Sequence, residues 1–247
     1  MKKILFLTLT IAIFTFLGCA TVYNPATGKN ELVFIDTQQE IAIGKNAVQS
    51  IEREYRLSDD AALNNKVKVQ GEMIAGVADR KDLDYIFKVV KNKEVNAFSL
   101  PGGFVYVNTG LLKYANDGEL ACVIAHEVGH IAARHGAKRL EAALGYTILA
   151  NIALSQAKSA DLIDFSNIIF NLITLGYSRE DEFQADRLAV KYVLLAEFKP
   201  EGLISFFEKL DKIEGADVGP LFLRSHPYRK DRIKNIKLEI AKFKNVP

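Results

Sequence analysis

Apolar residues recur at helical spacing through the first part of the chain and predict two helices there. Thr37 followed by Glu40 is a capping-box pattern, which predicts that a helix opens at Thr37 and runs to about Arg56. Ser58 and Asp59 predict the start of a second helix. The apolar residues of this second segment lie at helix-like intervals; they are Leu63, Val67, Met73, Ile74 and Val77.

The spacing then changes to that of an extended chain. Residues 85–90 (YIFKVV) and 104–107 (FVYV) are rich in β-branched and aromatic side chains, which predicts two short strands. Between them, residues 96–103 (NAFSLPGG) end in a Pro-Gly-Gly turn signal. The pattern predicts a small antiparallel sheet in a protein that is otherwise helical.

From Asp117 onward the pattern is helical, and no proline occurs at positions 102–199. Residues 140–176 are rich in Leu, Ile and Ala, but charged and amide side chains interrupt them too often for a membrane span. We expect two buried or surface-associated helices there, with a hairpin that dips into a membrane as the alternative. The predicted fold class is α+β and predominantly helical. Further helices are predicted from Arg179 to about Phe198, from Pro200 to Glu214 and from Tyr228 onward.

The amino terminus has the pattern of an export signal. Lys2 and Lys3 precede an apolar run from Ile4 to Leu17, which is shorter than the roughly 20 residues that a membrane-spanning helix needs. A basic start followed by a short apolar segment indicates a signal peptide over residues 1–18. A buried core helix is the weaker alternative, because nothing in the run marks an inner or an outer face.

The end of this segment, Phe16-Leu17-Gly18-Cys19, resembles a bacterial lipoprotein signal. The resemblance implies that Cys19 becomes the first mature residue and carries lipid on its sulfur, which would hold the protein at a membrane. Ala20, in place of aspartate, implies sorting to the outer membrane. Residues 19–36 would then form a lipid-anchored tether, and residues 37–247 a single domain.

Composition narrows the class of protein. The chain has 247 residues, of which 49% are hydrophobic and 25% charged, as is typical of a globular domain. Lys and Arg number 32 against 30 Asp and Glu, so the charge gives no electrostatic footprint for nucleic acid. The two excess lysines lie in the predicted signal, which leaves the mature chain neutral. Two cysteines cannot form a disulfide framework, and Cys122 is the free thiol that remains after Cys19 is lipidated.

Residues 126–130 read His-Glu-Val-Gly-His and carry the chemistry of a metal site. On a helix, His126 and His130 are four residues apart and project from one face, where both can bind one zinc ion. Glu127 lies about 100° around the helix, beside the metal, where it can take a proton from the attacking water. The alternative to a metal site is that both histidines are structural, buried in the core and hydrogen-bonded there.

A catalytic zinc site needs a third protein ligand. His135 lies half a turn out of phase with His126, so we expect a surface histidine there. Glu182 and Asp186 are four residues apart on another predicted helix. One of these carboxylates can bind zinc while the other orients a ligand histidine. A solvated acidic face explains their spacing equally well, because two further acids precede Glu182.

Three segments together resemble a known family: HEVGH, SREDEFQAD and NAFSLPGGFVYVNTGLL. They are similar to gluzincin peptidases related to the CAAX prenyl proteases and HtpX, over roughly residues 22–240. The resemblance implies a zincin-like domain with one Zn²⁺ per chain. It also implies that Glu182 is the third ligand and that Asp186 is the acid that orients a ligand histidine. The periplasmic lipoprotein branch is the nearest, because integral-membrane members carry true transmembrane helices.

Two further elements match places in this family. Residues 98–109 match the edge strand along which an extended peptide substrate adds by backbone hydrogen bonds, although a hairpin turn would also explain them. His226, in a Ser-His-Pro pattern, could be a reversible fourth zinc ligand, an oxyanion stabiliser or a loop histidine. Arg229 and Arg232 could bind substrate or lie on a solvated basic helix.

The expected function is zinc-dependent endopeptidase activity on misfolded or misassembled cell-envelope proteins. Zinc would polarise the scissile carbonyl, while Glu127 would deprotonate the attacking water and then protonate the leaving amine. The expected partners are an unfolded or extended polypeptide, a membrane through Cys19, and envelope-assembly proteins. The expected location is the periplasmic face of the outer membrane. The alternative from another class is a zinc-stabilised chaperone or binding module with weak or latent peptidase activity.

Overall fold

The structure, a computed structural model, describes residues 20–143, 167–169, 171, 175–212 and 221–244. Five strands are found in these residues: β1 (Ala20–Asn24), β2 (Lys29–Val33), β3 (Ile86–Val90), β4 (Ala97–Leu100) and β5 (Phe104–Asn108). The helices are α1 (Thr37–Glu54), α2 (Ala61–Val77), α3 (Thr109–Tyr114), α4 (Asp117–Ala132), α5 (Arg179–Leu195), α6 (Glu201–Asp211), α7 (Leu221–Ser225) and α8 (Arg229–Lys244). Residues 135–143 are also helical.

Strand β5 lies at the centre of a three-stranded sheet, parallel to β3 on one side and antiparallel to β4 on the other. All five residues of β5 are buried, because helices cover both faces of the sheet. Phe104 and Tyr106 join the smaller of two apolar clusters, with residues of α1, while Val105 and Val107 join the larger one, with residues of α4. This burial on both faces explains why the strand is a continuous apolar run and not an alternating pattern.

Helix α4 lies inside the molecule, and every residue from Glu119 to Ala132 is buried. It packs against α2, α5, α6 and strand β4. Gly129 permits the close approach of α5, because a Cβ atom there would lie 2.9 Å from the carbonyl oxygen of Ala185 on that helix. The His-Glu-Val-Gly-His segment of α4 is thus held close against α5.

The predicted fold class is confirmed, since the described chain is predominantly helical with small sheets. The antiparallel pairs are β1–β2 and β4–β5, whereas β3 and β5, the two strands that the sequence predicted, are parallel to each other. The residues between the two predicted strands supply β4, which pairs with β5 and leaves β3 to join the other side. The sheet is therefore mixed, with one strand more than the sequence indicated.

The predicted helices that fall within the described residues are found, with starts that either agree with the prediction or lie one to three residues after it. The capping box of α1 is formed by Asp36 and Gln39, and not by Thr37 and Glu40. The side chain of Asp60 caps α2, two residues after the predicted start. Asn116 caps α4, one residue before the predicted start. In each case the capping residue is the one whose side chain accepts a hydrogen bond from a free N–H of the first turn.

Residues 20–36 do not form an open tether over their described length. Strands β1 and β2 pair as a hairpin, and Gly28 takes the positive φ of 67° at its turn. Val33 and Ile35 are buried in the body of the protein. A guanidinium nitrogen of Arg134 donates a hydrogen bond to the Ile35 carbonyl oxygen at 2.9 Å. Local turn residues gave no sign of these long-range contacts, and the lipid anchoring of this segment stays a prediction.

Several predictions lie outside the described residues. These are the signal peptide over residues 1–18, the lipid attachment at Cys19 and most of the apolar segment 140–176. Among the residues that the structure does describe, no helix has both the length and the apolar character needed to cross a bilayer.

Candidate metal centre

Helix α4 places His126 and His130 side by side, fully buried, one turn apart. Their Nε2 atoms are 3.0 Å apart, so both nitrogens are directed to the same point. This is the arrangement that the spacing of four residues predicted. The helix holds both rings in place, because its other sides are covered by α2, α5 and α6.

Helix α5 brings Glu182 to the same point. The Ser178 side chain caps this helix by accepting a hydrogen bond from the Asp181 amide. The Glu182 carboxylate lies with Oε2 3.4 Å from His126 Nε2 and Oε1 3.7 Å from His130 Nε2. Glu182 is buried, so the acidic face of α5 is not solvated at this position.

His226 completes the cluster from the loop that follows α7. Its Nδ1 lies 3.3 Å from His126 Nε2 and 3.2 Å from Glu182 Oε1. One ligand atom from each of His126, His130, Glu182 and His226 lies within 4.8 Å of the others, and all four residues are buried. The loop therefore directs His226 into the centre and not towards solvent.

The charge of the site fits a divalent metal ion. Three buried carboxylates and one buried guanidinium meet here, which leaves a net formal charge of −2 when the histidines are neutral, as they are when they bind a metal. The residues concerned are Glu127, Glu182, Asp186 and Arg232. Imidazole nitrogens with a carboxylate oxygen are the donors of catalytic zinc sites, and an uncompensated buried charge is costly. The donor set and the charge thus both match Zn²⁺.

The titration of the site agrees with that fit. Burial and the charge of Arg232 lower the pKa of His126, but Asp186 and Glu182 outweigh them and raise it to about 9. Burial would raise the pKa of Glu182, but Arg232 and His226 hold it well below its usual range. Glu182 is therefore a carboxylate, and the centre attracts added positive charge.

Glu127 is held beside the cluster and not within it. Strand β4 alternates its side chains, so Phe98 and Leu100 join the α1 cluster while Ser99 faces α4. The Ser99 hydroxyl donates a hydrogen bond to Glu127 Oε2 at 2.9 Å. The other oxygen, Oε1, makes no hydrogen bond in the described part of the chain, although His226 Nε2 lies 3.3 Å away. A carboxylate fixed by one oxygen and open at the other can accept a proton.

Asp186 lies where the sequence motif placed it, one turn beyond Glu182. Its Oδ1 is 3.0 Å from His126 Nδ1, the ring nitrogen that faces away from the cluster. Burial would raise the pKa of Asp186, but Arg232 lowers it below its usual value. A carboxylate in this position fixes the orientation and the tautomer of a ligand histidine.

The sequence left open whether Arg232 binds substrate or lies on a solvated basic helix. In the structure its side chain is buried and faces the metal centre. It is 0% exposed, and its guanidinium donates to both oxygens of Asp186, at 2.6 and 2.8 Å. A third contact, from Nη1 to Glu182 Oε2, measures 2.6 Å. The spacing carried a usable signal, because Arg232 lies four and eight residues before the buried Ile236 and Ile240 on α8.

His135 was expected at the surface, and that prediction was wrong. The side chain is 3% exposed, and its Nδ1 lies 2.9 Å from His130 Nδ1. The prediction assumed that the helix continues unbroken past His130. It ends at Ala132, and Arg134 adopts a left-handed conformation with φ of 61°, which turns the next residue back towards the centre.

The sequence segment expected to bind substrate, residues 98–109, is divided between two strands. Within the described sheet, β4 lies at the edge and β5 at the centre, so only the β4 portion can accept another strand. Ser99 places this edge next to Glu127. The edge is thus adjacent to the metal cluster.

A buried helix with the His-Glu-x-x-His motif, joined by a glutamate from a later helix, defines the gluzincin type of metallopeptidase centre. The family model of peptidase family M48 matches residues 61–240, and the chain belongs to that family. This match confirms the metallopeptidase class that the sequence motifs indicated. It does not single out the CAAX prenyl protease or HtpX members of the family.

Similar proteins carry peptidase names. The chain is 33% identical over 183 residues to the mitochondrial metalloendopeptidase OMA1 of Arabidopsis thaliana, covering 74% of this chain and 37% of that protein. It is 28% identical over 209 residues to the beta-barrel assembly-enhancing protease of Escherichia coli K12, covering 79% and 42%. It is 31% identical over 154 residues to the E. coli metalloprotease LoiP, covering 61% of each. The chain thus spans less than half the length of the first two relatives.

Proposed function

We propose that this chain is a zinc-dependent endopeptidase. The observation that carries the proposal is a buried cluster of His126, His130 and Glu182 with Glu127 fixed beside it. These three residues would hold zinc, which would supply Lewis-acid chemistry: polarisation of the scissile carbonyl and a more acidic water. The membership of peptidase family M48 supports the same chemistry.

Glu127 is the general base of the proposed reaction. Ser99 fixes Oε2, so Oε1 is the oxygen that takes the proton from the attacking water. The same carboxyl group then gives that proton to the leaving amine nitrogen. An extended substrate paired with the edge strand β4 would pass directly beside Glu127, because Ser99 belongs to that strand. Asp186 holds His126 in the tautomer that directs Nε2 to the metal.

His226 acts as a reversible fourth ligand in this proposal. Its Nδ1 faces the metal ligands and its Nε2 faces Glu127, so the ring fills the space that the attacking water and the carbonyl need. Substrate access then requires the loop around His226 to move. A His226→Ala variant should bind zinc more weakly and cleave an unfolded substrate faster. Unchanged zinc affinity together with unchanged cleavage would contradict this role.

The proposed substrates are misfolded or misassembled proteins of the cell envelope. Several similar proteins are named beta-barrel assembly-enhancing proteases, which supports an unfolded or extended polypeptide as substrate and assembly proteins of the envelope as partners. A chaperone with latent peptidase activity is the less favoured alternative, because the base and the ligands of a peptidase are all assembled.

We further propose that Cys19 carries lipid and holds the domain on the periplasmic face of the outer membrane, as in the lipoprotein branch of the family. The Phe16-Leu17-Gly18-Cys19 signal and the basic start support this location. The full chain expressed in a bacterium with labelled fatty acid should become labelled and fractionate with outer membranes. Labelling that persists in a Cys19→Ala variant would contradict it.

The decisive test of the peptidase compares the wild-type protein with Glu127→Gln. Glu127 is not a ligand, so zinc content should stay at one ion per chain in both proteins. Cleavage of an unfolded protein substrate should fall by a factor of about 10² to 10⁴, the usual contribution of a general base. Equal cleavage by both proteins would remove Glu127 from the mechanism. Zinc binding without any cleavage by the wild type would favour the chaperone.

A further inference from the structure

His135 lies between the metal cluster and helix α5. The reversal of the chain at Arg134 directs its ring to His130, with the two Nδ1 atoms 2.9 Å apart. Its other nitrogen, Nε2, lies 2.8 Å from Gln184 Oε1 on α5. His135 is buried, so water does not compete for these contacts.

The chemistry of His130 restricts where its protons can be. A neutral imidazole carries one proton, and the nitrogen that binds a metal must offer its lone pair. The Nε2 atom of His130 faces His126 and Glu182, so Nδ1 is the nitrogen that keeps the proton. That N–H is buried and needs an acceptor. The atom in place to accept it is His135 Nδ1.

The same reasoning determines which nitrogen of His135 carries the proton. If its Nδ1 accepts, its proton is on Nε2, and that N–H needs an acceptor as well. Gln184 Oε1 is a carbonyl oxygen, which only accepts. Asp181 Oδ1 lies farther from Nε2, at 3.4 Å, and its side chain is 38% exposed. The shorter contact is the one to Gln184.

We propose that His135 and Gln184 are positioning residues that fix the tautomer of His130 through two hydrogen bonds. His130 Nδ1–H donates to His135 Nδ1, and His135 Nε2–H donates to Gln184 Oε1. The proposal rests on the metal site of the proposed function and deepens it. It means that the two ligand histidines are oriented by different means, His126 by the carboxylate of Asp186 and His130 by a neutral chain of side chains.

The charge of the centre explains why a neutral chain suits His130. The buried carboxylates and Arg232 already balance a divalent cation. A second carboxylate behind a ligand histidine would add a buried negative charge without a partner. An imidazole that accepts through Nδ1 provides the same orientation and leaves the balance unchanged.

The first experiment measures zinc affinity by competition with a chromophoric chelator. His135→Phe keeps a ring but removes the acceptor, and the dissociation constant for zinc should rise by about 10- to 100-fold. His135→Gln restores a carbonyl acceptor and should recover part of the affinity. Gln184→Met keeps the length of the side chain without an acceptor and should weaken binding by a smaller factor. Leu210→Ala, in the core of α6, is the control for lost stability and should leave the affinity unchanged.

The second experiment reads the tautomers directly in the wild-type protein. The chain has four histidines, so nitrogen-15 labelling of histidine gives a spectrum that can be assigned completely. His130 should carry its proton on Nδ1 and His135 on Nε2, with zinc bound. In Gln184→Met without zinc, where no metal holds the proton of His130 on Nδ1, His135 should become a mixture of the two tautomers.

The proposal and the proposed function fail in different ways. A His135 that is protonated on Nδ1 would overturn the chain of hydrogen bonds, as would affinity within twofold of the wild type in either His135→Phe or Gln184→Met. If His135→Phe does not fold, Gln184→Met and the wild-type spectrum still decide. A wild-type protein that binds no zinc would refute the metal site itself, and with it the peptidase.

Discussion

At the scale of single residues, Arg232 has two roles in the metal centre. It links α8 to α5, and its positive charge offsets part of the negative charge of the buried carboxylates. It contacts Asp186 and Glu182 with one guanidinium and also donates to the carbonyl oxygen of His226 at 3.3 Å. Its guanidinium carbon lies 4.6 Å from the centre of the Phe207 ring, which covers the side away from the cluster. A planar cation that serves two carboxylates in this way is a role for which lysine is a poor substitute.

Replacing Arg232 should therefore destabilise the protein most when zinc is absent. Arg232→Met leaves two buried carboxylates without their guanidinium partner, and we expect the free energy of unfolding to fall by about 3–5 kcal/mol. Added zinc should recover part of this loss, because the metal supplies positive charge at the same place. Urea unfolding with and without zinc measures both effects. Arg232→Lys is the matched control, with a smaller loss; equal stability of Arg232→Met and the wild type would contradict the prediction.

At the scale of elements, the site depends on the close packing of α4 against α5. The first helix supplies two ligands and the base, and the second supplies the third ligand. Gly129 lies at their contact, in the middle of the metal-binding motif, where a side chain would meet the backbone at Ala185. A glycine within a helix ordinarily weakens it, so this one is explained by the approach of α5.

The Gly129→Ala substitution should separate the two helices slightly. We expect a loss of about 1–3 kcal/mol in the free energy of unfolding, as for other overpacked sites, and a weaker zinc affinity because Glu182 is displaced. Gly76→Ala is the control, since a Cβ at that position of α2 meets nothing within 4 Å. Thermal unfolding and chelator competition measure the two quantities. Unchanged zinc affinity in Gly129→Ala would show that the ligands tolerate the shift.

The start of α4 depends on Glu119. Its carboxylate accepts hydrogen bonds from the Asn116 amide, the Ser205 hydroxyl and the Lys209 ammonium group. Burial raises the pKa of Glu119, but these three partners, led by Lys209, lower it below its usual value. The one carboxylate of Glu119 therefore stabilises both the N-terminal cap of α4 and the contact between α4 and α6.

A lowered carboxyl pKa predicts a particular dependence of stability on pH. The contribution of Glu119 is complete above its pKa in the unfolded chain and is lost as the pH falls through its lower pKa in the folded chain. Glu119→Gln should therefore cost about 1–2 kcal/mol near pH 7, by analogy with other hydrogen bonds to charged groups, and less near pH 3. Urea unfolding of both proteins at the two pH values measures the difference. A cost that does not change with pH would mean that the charge of Glu119 contributes nothing.

At the scale of the whole molecule, the metal centre joins parts of the chain that are far apart in sequence. Its candidate ligands come from α4, from α5 and from the loop before α8. A metal that binds all of them connects the helices that enclose the larger apolar cluster. Binding to the folded state and not to the unfolded state stabilises the fold by mass action.

Removal of zinc should accordingly lower the stability of the whole domain. Each tenfold rise in free zinc above its dissociation constant should add about 1.4 kcal/mol to the free energy of unfolding. Unfolding at a series of buffered zinc concentrations measures this slope. Glu182→Ala, which lacks a ligand, should show a much weaker dependence. A wild-type stability that is independent of zinc would contradict a structural contribution of the metal.

Sequence alone determined those features that depend on neighbours within one helix. The spacing of His126 and His130 fixed their common face, and the motif on α5 placed Glu182 and Asp186 one turn apart. These positions follow from the geometry of a helix and need no knowledge of what packs against it. The helical fold class was predictable for the same reason.

Tertiary structure decided what each of those faces meets. Spacing on α8 could place Arg232 on the buried face of its own helix, but it could not show that Asp186 on α5 is its partner, nor that Ser99 donates to Glu127, because these contacts join residues 46 and 28 positions apart. His135 was misplaced because a single left-handed residue, Arg134, ended the helical phase on which its position had been based. The parallel pairing of β3 with β5 likewise depends on β4 taking the other edge. Local spacing fixes directions within an element, but the partners across elements are chosen by the packing of the whole core.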